Sequence, residues 1–286
     1  MTDRNAVLQQ LNAVSETYRD PLAAVDWPRL SAQTWWLPPD CLSLAGIAAF
    51  EDLPEPMRRR LSHYEFLHWL QVGLWLERLF LARTARGLND AVNPLDYAAR
   101  LHELREEAGH SLLFLKFMEV CGLNLAGGAF RPPRRLTVLG KLAPVNSPLF
   151  RLAVVVGEEV PDKFNRRIRA QAHGIDPVVA RVINLHMMDE ARHVARGRLL
   201  AEEALARAGR LRRQMLGNAL ARLLGTFVWA VFLPAPTLYE LAGLGEGRHW
   251  QELARRNGTR RALMRACLAP TLHWLARQGV AIPPPV

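Results

Sequence analysis

The sequence predicts an all-α protein, a four-helix bundle with additional helices at both ends, and three observations carry that expectation. Apolar residues recur at steps of three and four over long stretches, while alternating runs of β-branched residues are few. Asn93 before Pro94 and Asp176 before Pro177 each put a capping side chain just ahead of a proline at the first helical position. The stretch "AGGAFRPPRR" at 126–135 reads as a longer connection that divides the long helices into two hairpins. Two hairpins of long helices make a four-helix bundle.

Taken in order, the pattern predicts a short helix near 4–17 and then a segment rich in proline and tryptophan through about residue 55. Long helices follow at roughly 57–87, 94–122, 147–173 and 177–208, with Gly174 as a stop for the third. Shorter helices after residue 211, to about 280, pack around this core. The most apolar of them, "LLGTFVWAVFLPAP" (223–236), is too short to span a bilayer and is broken by Pro234 and Pro236, so it reads as a buried helix. At 286 residues, 50% hydrophobic and 22% charged, the whole chain suits a single domain with a large core.

Several function classes recede on composition. The N-terminus "MTDRNAVLQQLNAVSETYRD" is polar where a signal peptide needs an apolar run, which predicts a cytoplasmic protein with no membrane partner. Cys41, Cys121 and Cys267 are odd in number, far apart and outside any C-x-x-C motif, as expected of reduced thiols. The net charge of +10 raises nucleic acid as a partner. The arginines are dispersed, however, and no helix-turn-helix or aromatic RNA-binding signature accompanies them. A solvated surface, or a basic docking face for an acidic partner, accounts for the charge better.

The chemistry is carried by "HMMDEARH" (186–193), in which His186, Glu190 and His193 fall within about 60° of one another on one helix face. The second helix of the first hairpin carries "EEAGH" (106–110), and the second helix of the other carries "DEARH" (189–193). One Glu-x-x-His is weak evidence, and Glu65 with His68 forms another. A five-residue pattern repeated on matching helices is far harder to obtain by accident.

A dinuclear site in a bundle core also needs one carboxylate from each partner helix at the same depth. Glu77 lies about 15 Å of helix before the turn near 87, and Glu107 about 20 Å after Pro94, so the two come out nearly level. Glu65 lies some ~18 Å further along and reads as a surface or second-layer residue, as does His68. In the other hairpin Glu158 and Glu159 compete. Glu159 projects with Leu152 and Val155 on the apolar face, and Glu158 projects with Arg151, Asn165 and Arg169. Glu159 is therefore the expected ligand, although Pro161 can kink the helix.

The candidate metal ligands are Glu77, Glu107, His110, Glu159, His186, Glu190 and His193. Four carboxylates balance two divalent cations, and imidazoles with carboxylates favour iron or manganese over zinc, magnesium or calcium. Glu106 and Asp189 stand where an acid can hold the free nitrogen of a ligating histidine, or are ordinary surface acids.

This pattern, E, E-x-x-H, E, H-x-x-x-E-x-x-H, resembles the ferritin-like di-iron proteins and, within them, the p-aminobenzoate N-oxygenase family. His186 is the discriminating residue, because desaturases, ribonucleotide reductase small subunits and bacterioferritins typically carry one histidine per motif. The resemblance covers 57–208 well and "FLPAPTLYELAGL" (232–244) more loosely. It implies metal ligation by the same seven residues, two iron ions or a Mn/Fe pair, O2 as co-substrate, and oxidation of an amine nitrogen in specialised metabolism. It further implies a small-molecule amine, free or on a carrier protein, a separate reductase or ferredoxin-like electron donor, and a homodimer. A di-iron hydroxylase or desaturase acting on carbon is the alternative enzyme, and a non-catalytic metal-binding helical bundle is the alternative of another class.

Overall fold

The computed structural model describes residues 4–90, 93–124 and 130–286, and among these no strand occurs. Helix α1 (Arg4–Ser15) leads into an irregular segment containing the short α2 (Ala48–Glu51). The first hairpin is α3 (Glu55–Gly87) with α4 (Pro94–Val120), and the second is α6 (Pro148–Arg169) with α7 (Pro177–Leu205). Between the hairpins lies α5 (Arg134–Leu142), and after them come α8 (Arg210–Phe232), α9 (Pro236–Leu241), α10 (Gly247–Arg256) and α11 (Gly258–Arg277).

The proline-linked starts act as expected. Asn93 accepts a hydrogen bond from the Leu95 N–H, and Asp176 accepts from those of Val178 and Val179, so orphan donors of the first turn are satisfied. The connection expected at 126–135 lies outside the described residues over 125–129, and its last part is already helical, since α5 begins at Arg134. α6 ends at Arg169, and Gly174 closes a separate short 3-10 turn rather than the helix itself.

Within each hairpin the helices pack along their lengths, α3 on α4 and α6 on α7, while α4 also meets α7. α8 covers α6, α3 and α5, α11 lies on α6, and α9 lies on α3. Consequently α3 is buried all round from Leu61 to Leu70, as a helix enclosed on every side must be. Glu65 and His68 are therefore interior rather than surface residues: Glu65 accepts from the backbone N–H and hydroxyl of Ser43, and His68 Nε2 lies 3.1 Å from the Val231 carbonyl. Trp36, Phe66 and Phe117 stack edge to face and fasten the irregular N-terminal segment onto the first hairpin.

The run Arg210–Leu241 is long and apolar enough to cross a membrane by length and composition alone. In the fold Leu220, Leu224, Phe227, Val228, Val231 and Phe232 of α8 are buried among the other helices, which matches the buried helix expected at 223–236.

Candidate metal centre

The four bundle helices bring carboxylates and imidazoles to one level of the interior. Glu77 comes from α3, Glu107 and His110 from α4, Glu158 from α6, and His186, Glu190 and His193 from α7, all of them buried. Their donor atoms form two overlapping groups, each within 4.8 Å: Glu77, His110, His186 and Glu190 in one, and Glu107, Glu158, Glu190 and His193 in the other. His186 Nε2 lies 3.0 Å from Glu190 Oε1 and 3.3 Å from Glu77 Oε1. His110 Nδ1 lies 3.3 Å from Glu107 Oε2 and 3.6 Å from Glu190 Oε1. Gly73 makes room for this arrangement, because a Cβ there would sit 2.7 Å from the ring of Phe114, which packs against His186.

Six of the seven residues expected from the sequence meet here, and the seventh, Glu159, does not. Its carboxylate is bound by Arg198 at 2.6 and 2.8 Å, with Lys163 at 3.6 Å, and Glu158 occupies the place expected of it. The projection chose the apolar face of α6, but the face that looks into a polar site must itself be polar. Asn165, on the same face as Glu158, is buried and reaches His186.

A second layer orients the imidazoles. His110 Nε2 bonds Asp189 at 3.0 Å and His193 Nε2 bonds Glu106 at 2.9 Å, which turns Nδ1 of both rings toward the cluster. One guanidinium, Arg192, donates to both acids, at 2.8 Å to Glu106 and 2.6 Å to Asp189. The acids thus have histidine partners, and the surface-acid reading of them falls away. His186 is held differently. The Trp69 indole N–H donates to Asn165 Oδ1, so the amide turns its NH2 toward His186 Nδ1. Nδ1 then accepts, and the ring hydrogen sits on Nε2, the nitrogen facing Glu77 and Glu190. Arg192 stands inside DEARH at the position the repeat leaves variable, Asn165 shares the projected face of Glu158, and Trp69 lies in no motif, so spacing alone gave none of them a role.

The site's electrostatics show how it carries so many acids. Burial pushes Glu77 well above the usual carboxylate range, and Glu107 beside it adds to the rise. Burial and then Glu190 do the same to Glu158. Burial works against the ionised form of Glu190 too, yet His186 and His193 hold it well below its ordinary value. Burial would lower His110, but Asp189 and Glu107 raise it to about 9. Within each acid pair the two carboxyls are thus pushed in opposite directions, one toward its protonated form and the other toward its ionised form.

The cluster is nevertheless incompletely paired. Glu77 Oε2, Glu107 Oε1, Glu158 Oε1, Glu190 Oε2 and His193 Nδ1 are buried without a hydrogen-bond partner. Glu107 Oε1 and His193 Nδ1 face each other at 3.0 Å outside hydrogen-bonding geometry, both directed into common space. Unpaired polar atoms in such number are costly in an interior, and shared cations would satisfy them together.

Fold and donor set together define a helical bundle with two adjoining carboxylate and histidine clusters, each able to hold a metal ion. The chain belongs to the P-aminobenzoate N-oxygenase AurF family, whose model matches residues 1–279. Uncharacterized proteins of Mycobacterium tuberculosis and Mycobacterium bovis are 27% identical over 149 residues, 51% of this chain and 43% of theirs, so the match spans less than half of those relatives. R2-like ligand-binding oxidase with an aerobically reconstituted Mn/Fe cofactor superposes with a TM-score of 0.60 at 15% identity, over 96% of this chain and 92% of that one. A variant of it with an aerobically reconstituted Fe/Fe cofactor gives 0.60 at 16%, over 99% and 94%. Likeness at that identity is one of fold.

Proposed function

We infer that the clusters hold two iron ions, or a Mn/Fe pair, and that the protein is an N-oxygenase acting on an amine. The carrying observation is the set of unpartnered buried donors on Glu77, Glu107, Glu158, Glu190 and His193. Family membership and the metal pairs named for the R2-like oxidases support the reading. Glu77, His110 and His186 would hold one ion, Glu107, Glu158 and His193 the other, with Glu190 shared. When bound, the pair supplies activation of O2 and its transfer to nitrogen, with two electrons per turnover drawn from a separate reductase or ferredoxin-like donor.

The chain's own residues do the placing. Glu77 and Glu158 must give up their protons as metal enters, so uptake weakens as pH falls. Asp189 and Glu106 fix the rings of His110 and His193 with Nδ1 inward. Ligation through His186 Nε2 requires the hydrogen on that nitrogen to leave. Phe114, Leu76 and Phe80 give the cleft beside Glu77 and Glu158 an apolar border.

The test is anaerobic loading with ferrous iron, exposure to O2, and product analysis over a panel of amines and fatty acyl substrates. Hydroxylamine, nitroso or nitro products from an amine are expected. Oxidation at carbon alone would replace this reading with the hydroxylase or desaturase, and iron uptake with no product from any of them would favour a metal-binding bundle.

A further inference from the structure

A cavity of about 410 Å³ lies between α3, α5, α6 and α8, walled by Trp75, Leu79, Leu139, Phe150, Leu220 and Leu224 among others. Among the described residues no charged side chain lines it. Its single side-chain hydroxyl, Ser147, already accepts from the Phe150 N–H, and the Trp75 indole N–H is taken by Thr137. At the ~30 Å³ that a water-sized group occupies in a liquid, the cavity holds on the order of ten to fifteen non-hydrogen atoms. That is the size range of ligand pockets, with the polar anchors missing from this part.

Three of its residues, Leu76, Phe80 and Gly157, also line the small cleft that reaches Glu77, Glu158, His186 and Glu190. They form the partition between cavity and metal centre. A Cβ on Gly157 would lie 3.0 Å from Phe80 Cζ, so the glycine is what lets that ring rest against α6. Movement of Phe80 would join the two spaces.

We propose that this cavity is the substrate chamber and that it takes the uncharged, apolar body of an alkyl- or arylamine, with the amine directed past Phe80 to the cleft at Glu77 and Glu158. The amine rests on the N-oxygenase reading; the apolar, carboxylate-free body rests on the cavity alone. An aminobenzoate seated here would bring its carboxylate against leucine and phenylalanine with no cation and only the Ser147 hydroxyl to pair it, a cost that an alkyl group avoids. α5, which has no fully buried residue, forms the outer wall, with Leu139 and Leu142 extending the apolar surface outward.

Titration calorimetry of the full chain, metal-free and iron-loaded, with 4-butylaniline and with 4-aminobenzoate tests this. 4-Butylaniline is expected to bind about ten-fold or more tighter in both forms. Ala153→Phe, which fills the chamber, should abolish that preference while the melting temperature holds or rises. Leu139→Arg, at a half-exposed site that tolerates charge, should improve 4-aminobenzoate binding. Equal or tighter binding of 4-aminobenzoate by the parent, or undiminished 4-butylaniline binding by Ala153→Phe, overturns the chamber. Tight binding of 4-butylaniline that is recovered unoxidised after iron and O2 would instead overturn N-oxygenation and leave the chamber standing.

Discussion

Glu190 belongs to both donor groups, with one oxygen 3.0 Å from His186 Nε2 and 3.6 Å from the Nδ1 atoms of His110 and His193. Its neighbours on α6 divide the remaining work. Glu158 completes the second group, and Glu159, one residue on, ties α6 to α7 through Arg198. Glu158→Ala is therefore expected to lower bound iron toward one per chain, read by metal analysis. Glu159→Ala should keep the parent's iron content and cost about 1–2 kcal/mol of stability, since Arg198 can turn to solvent. Spacing made Glu77, Glu107, His110, His186, Glu190 and His193 legible in the sequence, because helical periodicity and matched depth are local arithmetic. It failed between Glu158 and Glu159, where both side chains are buried and only their partners on α7 tell them apart.

At the scale of elements, α4 and α7 are joined across the bundle by the hydrogen bonds that aim the imidazoles. Asp189 on α7 holds His110 of α4, Glu106 on α4 holds His193 of α7, and Arg192 bridges the two acids. Replacing Glu106 or Asp189 by Ala should weaken iron affinity about 10–100-fold while helicity is retained. Unchanged affinity in a competition titration would show that these acids serve packing alone. Residue-level signals placed the long helices well, since Asn93–Pro94 and Asp176–Pro177 are encoded where they act. α5 is not legible in the sequence because its nine residues follow directly on a proline pair and bury no side chain fully, so Leu136 and Leu139 make too short an apolar face to stand out from a connection.

On the scale of the whole molecule, the N-terminal segment and the C-terminal helices enclose α3, and that enclosure removes the surface half of the reading of Glu65 and His68. Depth along the helix sets these two apart from the ligands but says nothing of burial, and a helix covered on all sides has no wet face. His68 carries a consequence for pH. Burial lowers its pKa to about 4, so as pH falls below about 6.5 the unfolded chain takes up a proton that the folded chain refuses. Stability present above pH 6.5 is thus lost progressively toward pH 4, by roughly 3 kcal/mol for this group. In denaturant titrations of metal-free protein, His68→Gln should flatten that decline; parallel curves for parent and variant would contradict it. The most direct test of the whole account is anomalous diffraction from crystals of the iron-loaded protein. Two iron peaks about 3.5–4 Å apart, enclosed by Glu77, Glu107, His110, Glu158, His186, Glu190 and His193 with Glu159 still on Arg198, are the predicted result. A single peak, or iron bound away from Glu190, would contradict it.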